Sequence, residues 1–234
     1  ESFARGKYMN AISVLQDVVS ILKGTENGEE SIFMLGMAEF NDKDYETAAE
    51  YFRKYFKSYP KGIYAEAACY YIGESLYYST PEPRLDQSET VTAISAFQEF
   101  LDIYTDSKLK YKAQDRLMQL QDKLVKKEYL SAQLYYNLGS YFGNCLDGGN
   151  NYEACIITAQ NAIKDYPYAT KKEEFSIMIL RAKYELAQRS IVTKQSERYS
   201  DTVDEYYGFV NEYPNSKYLD EAKKIFEKSK SAIK

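Results

Sequence analysis

The stretch MLGMAEFNDKDYETAAEYFRKYFKSYP, residues 34–60, decides the fold of this chain. Its second half is the block AAEYFRKYFKSYP at 48–60, which places apolar side chains on one helical face and ends in Tyr-Pro. Related blocks recur at 11–23, 93–105, 155–167 and 202–214. Repetition of this kind predicts a stacked helical array, in which function resides in a surface that several repeats share.

The last four blocks share a tyrosine at their twelfth position, and in three of them a proline follows it. A proline at this place cannot continue a helix, so the tyrosine marks the point where each helix stops. We therefore interpret these tyrosines as structural residues. They are Tyr59, Tyr104, Tyr166 and Tyr213.

A partner helix precedes three of the blocks, and each partner helix is marked by a glycine (Gly36, Gly73 and Gly139). Glycine inside a helix costs about 1 kcal/mol relative to alanine. We therefore expect a close helix crossing that leaves no room for a Cβ atom. In the first of these repeats, four residues match the tetratricopeptide repeat (TPR) pattern in register. They are Gly36, Ala48, Phe52 and Pro60.

These patterns predict an all-α, TPR-type α-solenoid of about five helix pairs with a C-terminal capping helix. We expect a single superhelix over 1–234, with N-terminal repeats in 1–106 and C-terminal repeats and the cap in 145–234. The segment 107–144 connects the two halves. From 107 to 138 it contains neither Gly nor Pro, which predicts one very long helix or two helices joined nearly end to end.

Composition argues against catalysis. The chain contains no histidine, so the usual general base of hydrolases and the commonest zinc ligand are both missing. We predict no catalytic residue, no metal and no cofactor. The net charge of −5 also disfavours nucleic acid as a partner. Paired carboxylates such as Glu29–Glu30 and Glu173–Glu174 stand where helices start, where the macrodipole favours negative charge.

Only three cysteines are present, too few for a structural zinc site without histidine. Cys145 and Cys155 flank a predicted turn and could approach one another in an oxidising compartment. The favoured interpretation is that they are buried small residues on packing helices.

The glycine register also separates packing positions from a second helical stripe, three residues before, one after and four after each glycine. Large side chains with a polar tip or an adaptable shape occupy this stripe, and such side chains suit recognition of varied peptides. We predict that they line a peptide-binding groove; the alternative is that some of them belong to the core between repeats. The candidates are Phe33, Met37, Phe40, Tyr70, Tyr77 and Tyr136.

From the second block onward the chain resembles the BamD family, the TPR lipoproteins of the outer-membrane β-barrel assembly machinery. Three stretches carry the resemblance: FRKYFKSYPKGIYAEAACYYIGESLYY at 52–78, AISAFQEFLDIYTDSKLKYKAQDRLMQLQDKLVKKEYLSAQLYY at 93–136, and IKDYPYA at 163–169. Its most specific part is 115–136, because a generic TPR protein has no reason to carry this segment between its second and third repeats. The resemblance is weakest at 170–200 and at the N-terminus.

The resemblance implies a scaffold on the periplasmic face of a Gram-negative outer membrane. It implies a BamA-like barrel protein as partner of the C-terminal half, with accessory lipoproteins as further candidates. It also implies that the N-terminal repeats receive the aromatic-rich C-terminal segment of unfolded outer-membrane β-barrel proteins. The family's lipidated cysteine has no counterpart before Cys69, so we expect the lipid anchor and the signal peptide to lie outside these 234 residues.

A second envelope protein offers an alternative. The TPR coordinator associated with the Tol–Pal system is similar in its repeats, which also read YP, YA and a helical Gly. The uninterrupted 107–138 segment favours the assembly scaffold, whereas an N-terminal coiled coil would favour the coordinator, and no such pattern is visible.

Overall fold

A computed structural model describes residues 8–22, 26–141 and 150–233. Within these ranges the chain forms ten α-helices and no β-strand, and most consecutive helices pack on one another. The predicted all-α, TPR-like solenoid with a C-terminal cap is confirmed. In chain order the helices are α1 (Tyr8–Ile21), α2 (Glu26–Asp42), α3 (Tyr45–Ser58), α4 (Ala65–Ser79), α5 (Ser88–Ile103), α6 (Lys110–Leu138), α7 (Asn151–Asp165), α8 (Lys172–Gln188), α9 (Val192–Glu212) and α10 (Leu219–Ala232).

The chain divides into two compact units, Glu1–Leu124 and Val125–Lys234. In the first unit, each helix from α1 to α5 packs against its neighbours in the sequence. In the second unit, α7 packs on α8 and α8 on α9, while α10 covers both α8 and α9. This position of α10 is the one expected for a capping helix.

Helix α6 runs without interruption from Lys110 to Leu138, so the first of the two sequence interpretations of this segment is correct. Ala113 and Leu120, in its N-terminal part, are buried in the core of the first unit. Val125 and Ala132, in its C-terminal part, are buried in the core of the second unit. The absence of Gly and Pro between 107 and 138 leaves nothing in the sequence to end the helix earlier.

Two of the three marker glycines lie at close helix crossings, as predicted. A Cβ atom added at Gly36 would stand 2.8 Å from the ring of Phe52, and one at Gly73 would stand 2.8 Å from the ring of Phe97. Gly139 differs, because α6 ends one residue before it and its φ of +53° is left-handed. It ends a helix instead of lying inside one, so Ser140, the stripe position directly after it, is not helical; Gly143 lies outside the described residues.

The four twelfth-position tyrosines are confirmed as structural residues. Each is the C-cap of its helix, with φ between −131° and −114° and ψ between 62° and 67°. Each cap is the first residue of a connection of the same length, which ends where the next helix starts. These four six-residue connections are 59–64, 104–109, 166–171 and 213–218.

Carboxylates near the start of a helix hold three of these four connections in place. A glutamate close to the N-terminus of α2, α4 or α8 accepts a hydrogen bond from the six-residue connection that follows the next helix. The acidic residues near these helix starts therefore have a specific structural partner in addition to the favourable macrodipole. The hydrogen bonds join Glu29 to the Ile63 amide, Glu66 to the Ser107 hydroxyl and Glu173 to the Ser216 hydroxyl.

Two cysteines lie in the described part of the chain, and both are buried. Cys155 is inaccessible in the core of the second unit, and Cys69 lies in the core of the first. Burial raises the pKa of each thiol to about 12, so both are protonated at neutral pH. Cys145, the predicted neighbour of Cys155, lies outside the described residues.

A carboxyl group is buried in the last turn of α2, just before the turn to α3. Lys43 adopts a left-handed φ of 69°, and the Asp44 amide donates to the Glu39 carbonyl at 3.0 Å, which satisfies the end of α2. The Glu39 side chain is buried. Its pKa is raised, chiefly by burial and further by the carboxylates of Asp44 and Asp42.

Glu39→Gln should therefore stabilise the chain at neutral pH by about 1 kcal/mol, because an amide avoids the cost of a buried charge. A raised folded-state pKa means that protonated Glu39 contributes stability below its unfolded pKa near 4.5, and that this contribution is lost as the pH rises through the folded pKa. Urea unfolding of both proteins at several pH values measures this. The advantage of the variant should shrink as the pH falls towards the unfolded value; an advantage independent of pH would contradict the assignment.

Candidate peptide-binding surface

The six predicted groove residues occupy three different environments. Phe33 and Tyr70 are buried in the first unit, with 8% and 7% of their surfaces exposed. Met37, Phe40 and Tyr77 are half-buried in the same unit. Tyr136 is half-buried in the second unit, where its ring meets that of Tyr152 edge-on at 5.8 Å.

Phe33 is buried because a TPR inner helix contacts more than its own partner. Its ring stacks on Tyr64, just before α4, with centroids 4.5 Å apart, and lies 5.7 Å from Phe52 of α3. The stripe positions nearest the start of the inner helix thus face the following repeat. For Phe33 the second interpretation of the stripe, core between repeats, describes the position.

Tyr70 is buried in the same way, against α5. Its ring lies 5.5 Å from Phe100 and 6.0 Å from Phe97, both edge-on. Its hydroxyl donates to the Glu74 carboxylate at 2.7 Å, and burial together with this bond raises the pKa of Tyr70 above its usual value. Substituting Phe33 or Tyr70 would therefore disturb the core as well as any groove.

Phe40 and Tyr77 belong to a partly exposed aromatic cluster at the end of the first unit where α2 and α4 finish and α3 begins. Tyr45 and Tyr78 stack with centroids 5.0 Å apart, and the Phe40 ring meets them edge-on at 5.4 and 5.8 Å. The Tyr77 ring lies 5.3 Å from Tyr78, of which 46% is exposed. We call Phe40, Tyr45, Tyr77 and Tyr78 the aromatic cluster.

Arg116 of α6 holds the α4 part of the aromatic cluster. Its guanidinium carbon lies 4.2 Å from the centroid of Tyr77 and 5.6 Å from that of Tyr78, both within range of a cation–π interaction. Its Nη2 also donates to the Tyr78 hydroxyl at 3.3 Å. The two tyrosines are therefore tied to α6 and do not depend on α4 alone for their orientation.

A buried carboxylate fixes Arg116 in turn. Nε donates to Glu74 Oε1 at 2.8 Å and Nη2 donates to Glu74 Oε2 at 3.2 Å. This bidentate pairing raises the pKa of Arg116 above its usual value. Nη1 donates to Gln119 at 3.3 Å, and Gln119 also accepts from the Tyr77 hydroxyl at 2.5 Å. The guanidinium is thus engaged on all its nitrogens within the protein.

The rim of the aromatic cluster continues into the connection between α4 and α5. Lys123 of α6 donates to the Thr80 hydroxyl at 2.5 Å. Burial lowers the pKa of Lys123 below its usual value. The connection between α4 and α5 therefore begins beside the aromatic cluster and is attached to the same long helix.

This surface suits binding more than reaction. It offers aromatic rings with polar tips, whose flat faces bury apolar or aromatic side chains at a low entropic cost. The charged groups beside the rings, Arg116 and Glu74, are paired with one another. In the described part of the chain, no three cysteine or acidic side chains lie where they could hold a metal ion.

Sequence reasoning missed three residues of this site, Tyr45, Tyr78 and Arg116. Tyr78 directly follows Tyr77, which the glycine register selected. The register did not select Tyr78 itself, and it is the exposure of the Tyr78 side chain in the structure that reveals it as a surface residue. Tyr45 follows the turn whose left-handed Lys43 directs the start of α3. Arg116 lies 42 residues after Glu74, and no periodicity in the sequence links the two.

The sequence matches the model of one known protein family. The model of the YfiO family, described as outer membrane lipoprotein, matches residues 1–145, more than half of the chain and the part that contains the aromatic cluster. No curated protein matches the chain. Over the described residues, no helix is long and apolar enough to cross a membrane. The match supports the BamD-like resemblance, although it includes the N-terminus, where the resemblance was weakest, and ends before 163–169. The chain belongs to the YfiO family of outer membrane lipoproteins.

Proposed function

We propose that this chain is a non-catalytic scaffold of the outer-membrane protein assembly machinery. It binds unfolded outer-membrane β-barrel proteins through its N-terminal repeats and a BamA-like barrel protein through its C-terminal half. Family membership supports the role at the outer membrane. The alternative, an adaptor similar to the Tol–Pal-associated coordinator, has less support because the matching family is YfiO.

The observation that carries the peptide-binding part is the aromatic cluster. Aromatic rings that remain half-exposed at the surface of a folded unit are typical of recognition sites, and Tyr in particular combines a large contact area with few rotatable bonds. The bonds of Arg116 to Glu74 and Tyr78 hold the cluster in one arrangement before a ligand arrives. Of the six stripe residues, we place Phe40 and Tyr77 at the centre of the groove, with Met37 beside them.

Replacing Tyr45 and Tyr78 together with serine should weaken binding of a barrel-derived peptide about tenfold or more, because the stacked pair presents the exposed aromatic surface of the cluster. The probe is a synthetic peptide that copies the aromatic-rich C-terminal segment of an outer-membrane β-barrel protein. Fluorescence anisotropy of the labelled peptide measures the affinity, and circular dichroism checks that helicity is unchanged.

The matched control is Tyr207→Ser, since Tyr207 is also about half exposed but lies on α9 of the second unit. It should leave the affinity for the peptide unchanged. An equal loss of affinity in the control, or an unchanged affinity in the double variant, would contradict the assignment of the groove to this cluster.

Purification of the tagged chain from its native envelope tests the other partner. Recovery of a BamA-like protein supports the scaffold, and recovery of Tol–Pal components in its place supports the alternative.

A further inference from the structure

A second surface of the first unit, away from the aromatic cluster, concentrates positive charge. Four basic residues stand on the C-terminal half of α3 and the connection after it, and all four are exposed. From 51 to 65 the chain contains no acidic residue at all. Because the whole chain carries a net charge of −5, this local excess opposes the overall sign. The basic patch consists of Arg53, Lys54, Lys57 and Lys61.

The charges of the basic patch have no ion-pair partner among the described residues. No ion pair joins any of its four members to a carboxylate in the part of the chain that the structure describes. Lys54 has an aromatic neighbour, with its ammonium 5.9 Å from the centroid of Tyr51. By contrast, Arg116 and Arg181 each bind a carboxylate directly. The patch is therefore available to an anionic ligand from outside.

An exposed isoleucine adjoins the basic patch. Ile63 follows the end of α3 and is 83% exposed. Its backbone is held firmly, because its amide donates to Glu29 at 3.0 Å and the amides of Gly62 and Ala65 donate to Tyr59 and Gly62 carbonyls at 3.0 Å. The side chain is thus presented to solvent from an ordered turn.

Local structure accounts for only part of this arrangement. Cations in the last turn of a helix are favoured by the macrodipole, which explains Lys57. Arg53 and Lys54 lie further back along α3, and Lys61 lies beyond its end, where this effect is weak. The macrodipole also gives no reason for an apolar side chain at the tip of the connection.

We propose that this face of the first unit contacts an anionic lipid bilayer, with the four cations near the lipid phosphates and Ile63 at the level of the acyl boundary. Clusters of Lys and Arg bind anionic membrane surfaces, and a neighbouring apolar side chain adds to the binding by insertion. A bilayer is available to this protein because its family consists of outer membrane lipoproteins. An acidic protein segment would satisfy the four charges equally well, but the lone exposed Ile63 favours a surface with an apolar interior.

The test is sedimentation of the 234-residue chain with vesicles of phosphatidylglycerol or of phosphatidylcholine. The chain should bind the anionic vesicles and not the zwitterionic ones, and the binding should weaken as salt screens the charges. The triple variant Lys54→Gln, Lys57→Gln, Lys61→Gln should lose roughly 100-fold in apparent affinity for the anionic vesicles. Ile63→Ser should lose about fivefold.

Matched controls exist on the other unit. The triple variant Lys223→Gln, Lys224→Gln, Lys228→Gln changes the net charge by the same amount at exposed positions of α10. Ile191→Ser removes an isoleucine that is 67% exposed before α9. Both controls should bind the anionic vesicles as the unaltered chain does.

Three results would overturn the proposal. The first is equal binding to both kinds of vesicle. The second is an equal loss of affinity in the α3 and α10 triple variants, which would indicate an effect of net charge alone. The third is failure to bind anionic vesicles while a poly-glutamate peptide binds and is lost in the α3 variant, which would assign the patch to an acidic protein partner.

Discussion

Replacing Arg116 with alanine should lower the free energy of unfolding by about 3 kcal/mol, because it leaves a buried carboxylate without a counter-charge. The side chain of Glu74 is only 7% exposed, and its two oxygens accept hydrogen bonds from Arg116 at 2.8 and 3.2 Å. After the substitution, the Tyr70 hydroxyl is the remaining hydrogen-bond donor to Glu74. Equilibrium unfolding in urea, followed by circular dichroism, measures the loss.

Two further variants separate the buried charge from simple loss of contacts. Arg116→Ala combined with Glu74→Gln should recover much of the stability, because the buried group is then neutral. Arg181→Ala is the matched control: Arg181 binds Glu221 through two bonds of 2.6 Å, but the Glu221 side chain is 44% exposed. That variant should cost less than about 1 kcal/mol. Equal losses for Arg116→Ala and Arg181→Ala would show that burial of Glu74 is not the cause.

Gly36→Ala and Gly208→Ala should change stability in opposite directions. The added methyl at Gly36 would stand 2.8 Å from the Phe52 ring, which is completely buried and cannot yield, so we expect a loss of about 2 kcal/mol. No atom lies within 4 Å of a Cβ built at Gly208, in the interior of α9. There we expect a gain of about 1 kcal/mol from helix propensity alone.

Thermal unfolding of the two glycine variants beside the unaltered chain tests this contrast. The same chemical change is made in both variants. The difference between their changes in stability therefore reports the space available to the added methyl group and not the residue type. A gain in stability at Gly36 would mean that the Phe52 ring moves aside at little cost, and the close helix crossing would then not explain the glycine.

The fold was predictable because its determinants recur. The Gly36, Ala48 and Phe52 spacing and the capping tyrosines are local patterns, and each repeats an arrangement that the stacking of helices requires. Gly139 was misassigned because glycine serves both a helix crossing and a left-handed helix end, and sequence alone does not distinguish these uses. The structure separates them through its φ of +53°.

The candidate site was predictable only in part. The glycine register selected Phe40 and Tyr77, which lie in the aromatic cluster, but the same register selected Phe33 and Tyr70, which the neighbouring repeat buries. Phe33 and Phe40, like Tyr70 and Tyr77, are seven residues apart on the same face of one helix. The glycine register therefore cannot distinguish the end of the stripe that the next repeat buries from the end that stays partly exposed. Arg116 belongs to the site through a contact across the fold, which no local pattern encodes.

The constant length of the six-residue connections has a consequence for how this chain tolerates change. Three of these four connections are hydrogen-bonded to a glutamate near the start of an earlier helix, so one residue added to or removed from them would break that bond or displace the start of the following helix. The connections at the opposite ends of the helices have no common length: residues 43–44 join α2 to α3, whereas residues 80–87 join α4 to α5. We therefore expect insertions and exchanges to be tolerated in the connections beside the aromatic cluster, whereas the connections that begin at the tyrosine caps keep a fixed length because, within each unit, they set where the next helix starts.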